Sequence, residues 1–426
     1  MQKSSKKVTA ILLGAGHRGA DAYASYALQY PEELTFVGVA EPRKERREEF
    51  QKAHNIEDKY AVESWEELLA FPKLADLVLI CTQDHMHMEP MAKAMELGYD
   101  ILVEKPISPV KEELVDLKEK TQKYEGMISV CHVLRYSPFF RKIKEIIDAG
   151  TIGELMNIQH MESIGFWHMA HSFVRGNWRN TAESSPICLA KTCHDFDILL
   201  WLTGKKCLRV SSFGSLKLFR KEMAPEGAPE RCTDGCPHRS SCPFFAPKFY
   251  LEHPKAIVDG FRKVVTMDET TEGLMQALKT GPYGRCVYAC DNDVCDHQVV
   301  NMDMEGGLTI SFTLSAFTNE CERTITLQGS RGEIKGWMEE DKIVVTDFVT
   351  GNKTVHKLNT PKVGHSGSDA SMMQELVSLI ATGRQKENVS NATQAIDSHL
   401  IAFAAEESRL ANGKVVELEG KKINVI

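Results

Sequence analysis

Long apolar runs are absent from this 426-residue chain. No window reaches the about 18 uninterrupted apolar residues of a membrane-spanning helix. A basic excess is also missing: 51 Lys and Arg stand against 59 Asp and Glu, a formal net charge of −8. That argues against a general nucleic-acid binder. It leaves phosphate-bearing small ligands open, because local dipoles hold those. The start carries no secretory pattern, since only Val8–Leu13 is apolar before a glycine-rich turn. A cytoplasmic protein with no membrane partner is therefore expected. Internal repeats, low-complexity tracts and long linkers are lacking too. Cysteine is not scarce, and without an export signal the twelve cysteines are expected as reduced thiols or metal ligands, not disulfides.

What is present is ordinary globular composition, 42% hydrophobic and 26% charged, at a length that suggests two or three domains. From Val8 to about Arg135, short apolar runs alternate with amphipathic segments. Strands are expected at Val8–Leu13, Leu34–Ala40, Leu74–Thr82, Asp100–Glu104 and Met127–Val133, with helices at Gly16–Tyr30, Arg43–His54, Met88–Leu97 and Pro109–Tyr124. Continuous apolar strands separated by helices imply a parallel sheet covered on both faces, the doubly wound Rossmann type, over residues 1–135. After a connecting helix, Pro138–Ala149, the pattern changes. A long strand at Glu154–Ile164 and alternating strands over 297–357 imply an α+β second domain, 136–426, with a large, mostly antiparallel sheet. A loop-rich, cysteine-bearing insert occupies about 219–285.

Gly14, Gly16 and Gly19 form a GxGxxG, with His17 and Arg18 between, directly after the first strand. The first glycine permits the turn, the second lets backbone approach a pyrophosphate, and the third allows close helix–strand packing. Glu41 ends the second strand at the distance where an acid accepts both ribose hydroxyls, which favours NAD over NADP. Arg43, Lys44, Arg46 and Arg47 weaken that preference, but they read more simply as the solvated face of a helix. Glu104-Lys105-Pro106 sits at a strand end, the edge where open α/β sheets bind ligands. On the helix Lys191–Asp197, residues 191, 194 and 195 share one face, so an amine, an imidazole and a carboxylate converge.

These motifs resemble the glucose–fructose oxidoreductase/inositol dehydrogenase (Gfo/Idh/MocA) family. The resemblance runs through the fingerprint, CysThrGlnAspHisMetHisMetGluPro at 81–90, GlyTyrAspIleLeuValGluLysProIle at 98–107, and second-domain segments at 305–312 and 328–334. It implies a sugar oxidoreductase in which Lys105 and His194 are catalytic, with Thr82, Asp84 and His87 along the nicotinamide pocket and Glu104 in support. It further implies that the peptide before Pro106 can be cis. The family often carries an aspartate four residues before the histidine. Here that position is Ala190, and Lys191 is expected to take its role. Hydride transfer from a secondary alcohol needs a base on the hydroxyl, for which His194 has the right ordinary pKa. Lys105 would stabilise the developing alkoxide.

Tyr136, His171, Arg175, Trp178, Asp195 and His194 are the expected sugar contacts, since polyols need planar hydrogen bonders and an aromatic face. The run Gly364–Asp369 precedes a helix, either as a cap through Ser366 or Ser368 or as a reach into the substrate site. Cys232, Cys236 and Cys242 lie on a turn-rich loop, as a structural zinc site lacking its fourth ligand would; free thiols or an iron–sulfur cluster use the same residues. The expected activity is NAD-dependent oxidation of a sugar, glycoside or cyclitol by a homo-oligomer, dimer or tetramer. The alternatives are a glycosidase that oxidises transiently and recycles NAD, and a non-enzymatic sensor.

Overall fold

The computed structural model describes residues 6–258, 260–360, 364–419 and 422–425, with the side chains of 364–366 and of those beyond 418 outside that description. The first sheet has strands β1 (Val8–Leu13), β2 (Leu34–Ala40), β3 (Ala61–Val62), β4 (Leu77–Ile80), β5 (Asp100–Val103) and β6 (Ile128–Val130). Their spatial order is β3-β2-β1-β4-β5-β6, all pairs parallel. The strands are apolar on both faces because helices cover both, and every residue of β4 is buried. Strand order reverses between β1 and β4, so the carboxyl ends of these two strands frame a crevice, the usual ligand position in such sheets.

The second sheet contains β7 (Leu155–Ser163), β8 (Cys207–Ser215), β9 (His297–Met304), β10 (Thr309–Ser315), β11 (Glu322–Gly329), β12 (Gly332–Trp337), β13 (Lys342–Asp347), β14 (Lys353–Lys357), β15 (Val416–Glu419) and β16 (Lys422–Val425). They lie in the order β14-β13-β12-β11-β7-β10-β9-β8-β15-β16. Every pair is antiparallel except β7 with β10. Burial alternates along β9 to β13, which is the signature of one packed and one wet face. The packed face and the helix Cys193–Thr203 share one core around Phe196, Phe312 and Ile310.

Three features depart from the sequence reading. The first helix begins with widened π-helical turns, His17–Ala24, before Ser25–Gln29. The insert contains helices Ala246–Glu252, Pro254–Val258, Phe261–Val265 and Thr271–Thr280, with a small core built on Trp167, Phe249, Tyr250 and Leu278. Finally, the C-terminal helices return to the first sheet. Met372, Met373 and Leu376 of helix Gly364–Thr382 enter one of its cores, and Ala395, Ile396 and Leu400 of helix Ala392–Leu410 enter the other. Amphipathic spacing says that a helix has an apolar face, not which sheet it covers.

Candidate active site

The glycine turn has the geometry that a diphosphate requires. Gly14 has φ +91°, and a Cβ there would meet the carbonyl oxygen of Cys81 at 2.5 Å. A Cβ on Gly19 would meet the Gly14 carbonyl oxygen at 2.3 Å. Gly16 is different: a Cβ would find only Arg46 Nη1, at 3.7 Å, so the space above its backbone is open. Gly16 also precedes the first helical turn and no side chain caps it, which leaves amide N–H groups facing that space. The residues present therefore fit a dinucleotide. Glu41 is buried at the end of β2, and its carboxylate accepts from the backbone N–H of Ala15 (2.9 Å) and of Arg43 (3.0 Å). His17 is exposed and pairs with Asp21 at 3.0 Å.

Lys105 follows β5, and the Lys105–Pro106 peptide is cis. Its Nζ donates to the carbonyl oxygen of Ala190 at 2.8 Å, which ties this loop to the turn that leads into helix Cys193–Thr203. Glu104 is buried and accepts from Arg18 Nε (2.9 Å), Tyr23 Oη (2.5 Å) and the Lys105 backbone N–H (2.9 Å). Burial pushes its carboxyl up, but Arg18, Lys105 and Tyr23 outweigh that and hold it below the ordinary carboxylate value. Arg18 also forks onto Asp369, at 2.8 and 3.2 Å. Of the run 364–369, then, Asp369 braces the fingerprint helix, and the Ser366 side chain lies outside the described residues.

Thr82 donates through Oγ1 to the Met86 carbonyl at 2.9 Å. His87 is fully buried, its Nδ1 at 2.8 Å from the Pro106 carbonyl oxygen and its Nε2 at 3.1 Å from that of Thr82. It clamps two strand-end loops together and does not line an open pocket. Asp84 accepts from Ser184 Oγ at 2.8 Å, a bridge between the halves of the chain. Beside it a cleft of about 330 Å³ is lined by Gln83, His85, Asn177, Ala182 and Glu183. Gln83 and His85 belong to the 81–90 segment quoted from the sequence; Ala182 and Glu183 carry no spacing signal.

His194 is buried in the first turn of helix Cys193–Thr203, and its ring meets the His132 ring edge-to-face at 5.6 Å. His132 also meets His399, again at 5.6 Å. Lys191 Nζ sits 2.9 Å from Glu162 Oε1, and Arg323 binds both Glu162 and Asp195. Asp195, expected as a sugar contact, sits inside an ion-pair cluster. It is fully buried, and His160 Nε2 (2.7 Å) and Arg323 (2.9 Å) occupy its carboxylate. Burial pushes its carboxyl up, but Arg323 and the hydrogen bond with His160 hold it well below the ordinary value.

Three further expected sugar contacts are also buried. Arg175 is buried and spends its donors on the carbonyls of Arg285 and Phe244, both at 2.7 Å. His171 is buried against Tyr250 Oη (2.7 Å) and stacks on Tyr283. Tyr136 is buried beneath Arg141. Polar residues in a run read as a binding loop, but here the insert closes over them. Trp178 is half-buried and packs against the second-domain core.

The zinc expectation is also corrected. Among the described residues no group of three or more His, Cys, Asp or Glu side chains is placed to hold a metal ion. Cys232, Cys236 and Cys242 instead border a small pocket with Cys286, Arg175 and Phe244, and all are free thiols. Burial pushes the Cys242 and Cys286 thiols up, as suits uncharged core residues. No described helix is long and apolar enough to cross a membrane.

Two family models match this chain. Residues 8–132 match the oxidoreductase family with an NAD-binding Rossmann fold, and residues 140–234 match the GFO/IDH/MocA C-terminal domain. An oxidoreductase of Bacillus subtilis (strain 168), YteT, is 23% identical over 74% of this chain and 75% of its own length. The scyllo-inositol 2-dehydrogenase (NAD(+)) of the same organism is 30% identical over 42% of this chain and 49% of its own length. Among solved structures, levoglucosan dehydrogenase in complex with NADH and levoglucosan superposes with a TM-score of 0.70, covering 97% of this chain and 99% of that one at 17% identity. At that identity the likeness is one of fold. Fingerprint, cis Lys105–Pro106 loop and both family models agree, and the chain belongs to the Gfo/Idh/MocA family of NAD-binding oxidoreductases.

Proposed function

We propose that this protein is an NAD-dependent dehydrogenase that oxidises a secondary alcohol of a sugar, glycoside or cyclitol. The observation that carries the reading is the 2.8 Å bond from Lys105 Nζ to the Ala190 carbonyl. It puts the strand-end amine against the turn that bears His194. The names of the inositol and levoglucosan dehydrogenases among the relatives support the substrate class.

When bound, NAD supplies the hydride acceptor. His194 takes the hydroxyl proton as the carbinol hydrogen leaves with its electron pair, so that a C=O bond forms. Lys105 faces the same oxygen and stabilises its developing negative charge. The Gly16 backbone holds the diphosphate, and Glu41 orients the adenosine ribose, favouring NAD over NADP. Lys191, held by Glu162, follows Ala190, which takes the position where the family often has an aspartate. Residues 1–135 supply the dinucleotide half and 136–426 the substrate half. The wet face of the second sheet, with Met156, Phe213 and Val299 exposed, supports self-association, and the reduced thiols suit a cytoplasmic setting. The test is NADH formation across a panel of sugars, glycosides and inositols. Stoichiometric NADH supports the reading; aglycone release without net NADH supports the recycling glycosidase instead.

A further inference from the structure

His132 is an imidazole that the fold keeps at a cost. It follows β6, is completely buried, and neither ring nitrogen has a hydrogen-bond partner among the described residues. Its nearest carboxylate oxygen, Asp197 Oδ1, lies at 3.8 Å, beyond hydrogen-bond range, and that carboxylate is already forked by Arg135 at 2.6 and 2.7 Å. A phenylalanine fills such a site without leaving polar atoms unpaired, so an orphaned imidazole here calls for a reason other than packing.

The neighbours supply one. The His132 ring stands edge-to-face between two others, 5.6 Å from His194 on one side and 5.6 Å from His399 on the other. His399 accepts the Ile107 backbone N–H at Nε2 (3.0 Å), so its Nδ1 carries the proton donated to the Ala395 carbonyl (2.7 Å). Ile107 is two residues beyond Lys105. Three imidazoles thus form a column that starts at His194 and ends on the backbone of the loop bearing Lys105. The column joins two elements that the Lys105–Ala190 bond also links.

We propose that His132 is a positioning residue for the reaction: through His399 it registers the Lys105 loop against His194, and its nitrogen lone pair favours the proton that His194 takes from the substrate. This rests on the dehydrogenase reading above. His132 itself stays neutral, because burial first, then Arg135 and Lys105, disfavour its charged form. The charged and titratable groups that face it are Glu104 and Lys105 from the strand-end loop, Arg135 from the turn after β6, Asp197 and His194 from helix Cys193–Thr203, and His399 from helix Ala392–Leu410. All of these remain in a His132 variant. During turnover the hydroxyl proton passes to His194 and the hydride to the nicotinamide, while His132 gains and loses nothing.

The test compares His132→Phe with His132→Gln in the full-length enzyme, using NAD and the best substrate of the panel. His132→Phe keeps the ring and removes the orphaned nitrogens. The expected result is a Tm equal to or above wild type, a kcat lower by about tenfold with KM for NAD unchanged, and an acidic limb of kcat/KM moved to lower pH. The limb moves that way because His194 loses a group that favours its protonated form. His132→Gln, which keeps a polar head, recovers most of kcat. A His132→Phe enzyme with wild-type kcat and pH profile overturns the proposal, since the ring alone would then suffice. So does a lowered Tm in which kcat falls without any shift of the limb, which marks a purely structural role. If wild-type enzyme forms no NADH with any substrate, the dehydrogenase reading fails, and that outcome is read before either variant is made.

Discussion

Lys105 and Ala190 belong to different halves of the chain, and the 2.8 Å bond from the Lys105 ammonium to the Ala190 carbonyl joins them. The amine follows a strand of the first sheet, whereas the carbonyl ends the short helix Ile187–Ala190 of the second half. The lysine is thus positioned by a neutral backbone acceptor.

Replacing Lys105 by Ala removes that charge and the loop's tether together. A fall in kcat of about 10²- to 10⁴-fold is expected, the range for losing a positioned acid–base or electrostatic group. NAD binding, followed by fluorescence titration, changes little, because the diphosphate is held at the glycine turn.

Gly14→Ala and Gly16→Ala separate fold from cofactor. Gly14→Ala puts a Cβ 2.5 Å from the Cys81 carbonyl oxygen at a φ of +91°. It costs about 1–3 kcal/mol of strain and lowers Tm. Gly16→Ala meets nothing closer than 3.7 Å. Stability stays within about 0.5 kcal/mol of wild type, while the Kd for NAD rises because the methyl group occupies the diphosphate's approach. Thermal melts and titration of the two variants show opposite patterns.

Arg18→Ala leaves the buried carboxylates of Glu104 and Asp369 facing each other without their shared cation. Breaking a buried pair in this way costs about 3–5 kcal/mol; the lower end applies, because the Arg18 side chain keeps 30% of its exposure. Urea unfolding measures it. Arg18→Ala, Asp369→Asn recovers part of the loss by removing one of the stranded charges.

Stability depends on pH through buried histidines, among them His171 and His399. Burial, reinforced by Arg175 at His171 and by Lys105 at His399, lowers each to about 3. In the unfolded chain both titrate near 6.5. The unfolded state therefore binds these protons first as pH falls. Their contribution is complete above about pH 6.5 and is lost progressively toward pH 3, with a limiting slope of about 1.4 kcal/mol per pH unit for each histidine. Urea midpoints at pH 7.5, 5.5 and 4.5 fall accordingly, and His171→Gln flattens the decline.

Much of this was legible from residue order, and the illegible part has a common cause. The runs at Val8–Leu13 and 77–80 announce buried parallel strands because both faces are apolar, and Gly14, Gly16 and Gly19 carry their reasons in their spacing. Lys105 and His194 were read from motif context. His132 and His399 were not, because a lone histidine after a strand or inside a helix has no spacing that names its partner. His171 and Arg175 have partners that their own spacing does not name. Their polarity looks like a pocket until Tyr250, Phe244 and Arg285 arrive from the distant insert to use it. The cysteines do border one pocket, but thiols close in sequence imply a metal only where their geometry suits one.

The account turns on a carbinol held between Lys105 and His194, and the direct test is NADH formation from NAD by purified enzyme across sugars, glycosides and inositols, run in parallel with Lys105→Ala and His194→Ala. It predicts at least one substrate that yields stoichiometric NADH with wild type, and a loss of kcat/KM of about 10²-fold or more in each variant. Unchanged turnover in the His194→Ala enzyme, with NAD still bound and the fold intact, would contradict it.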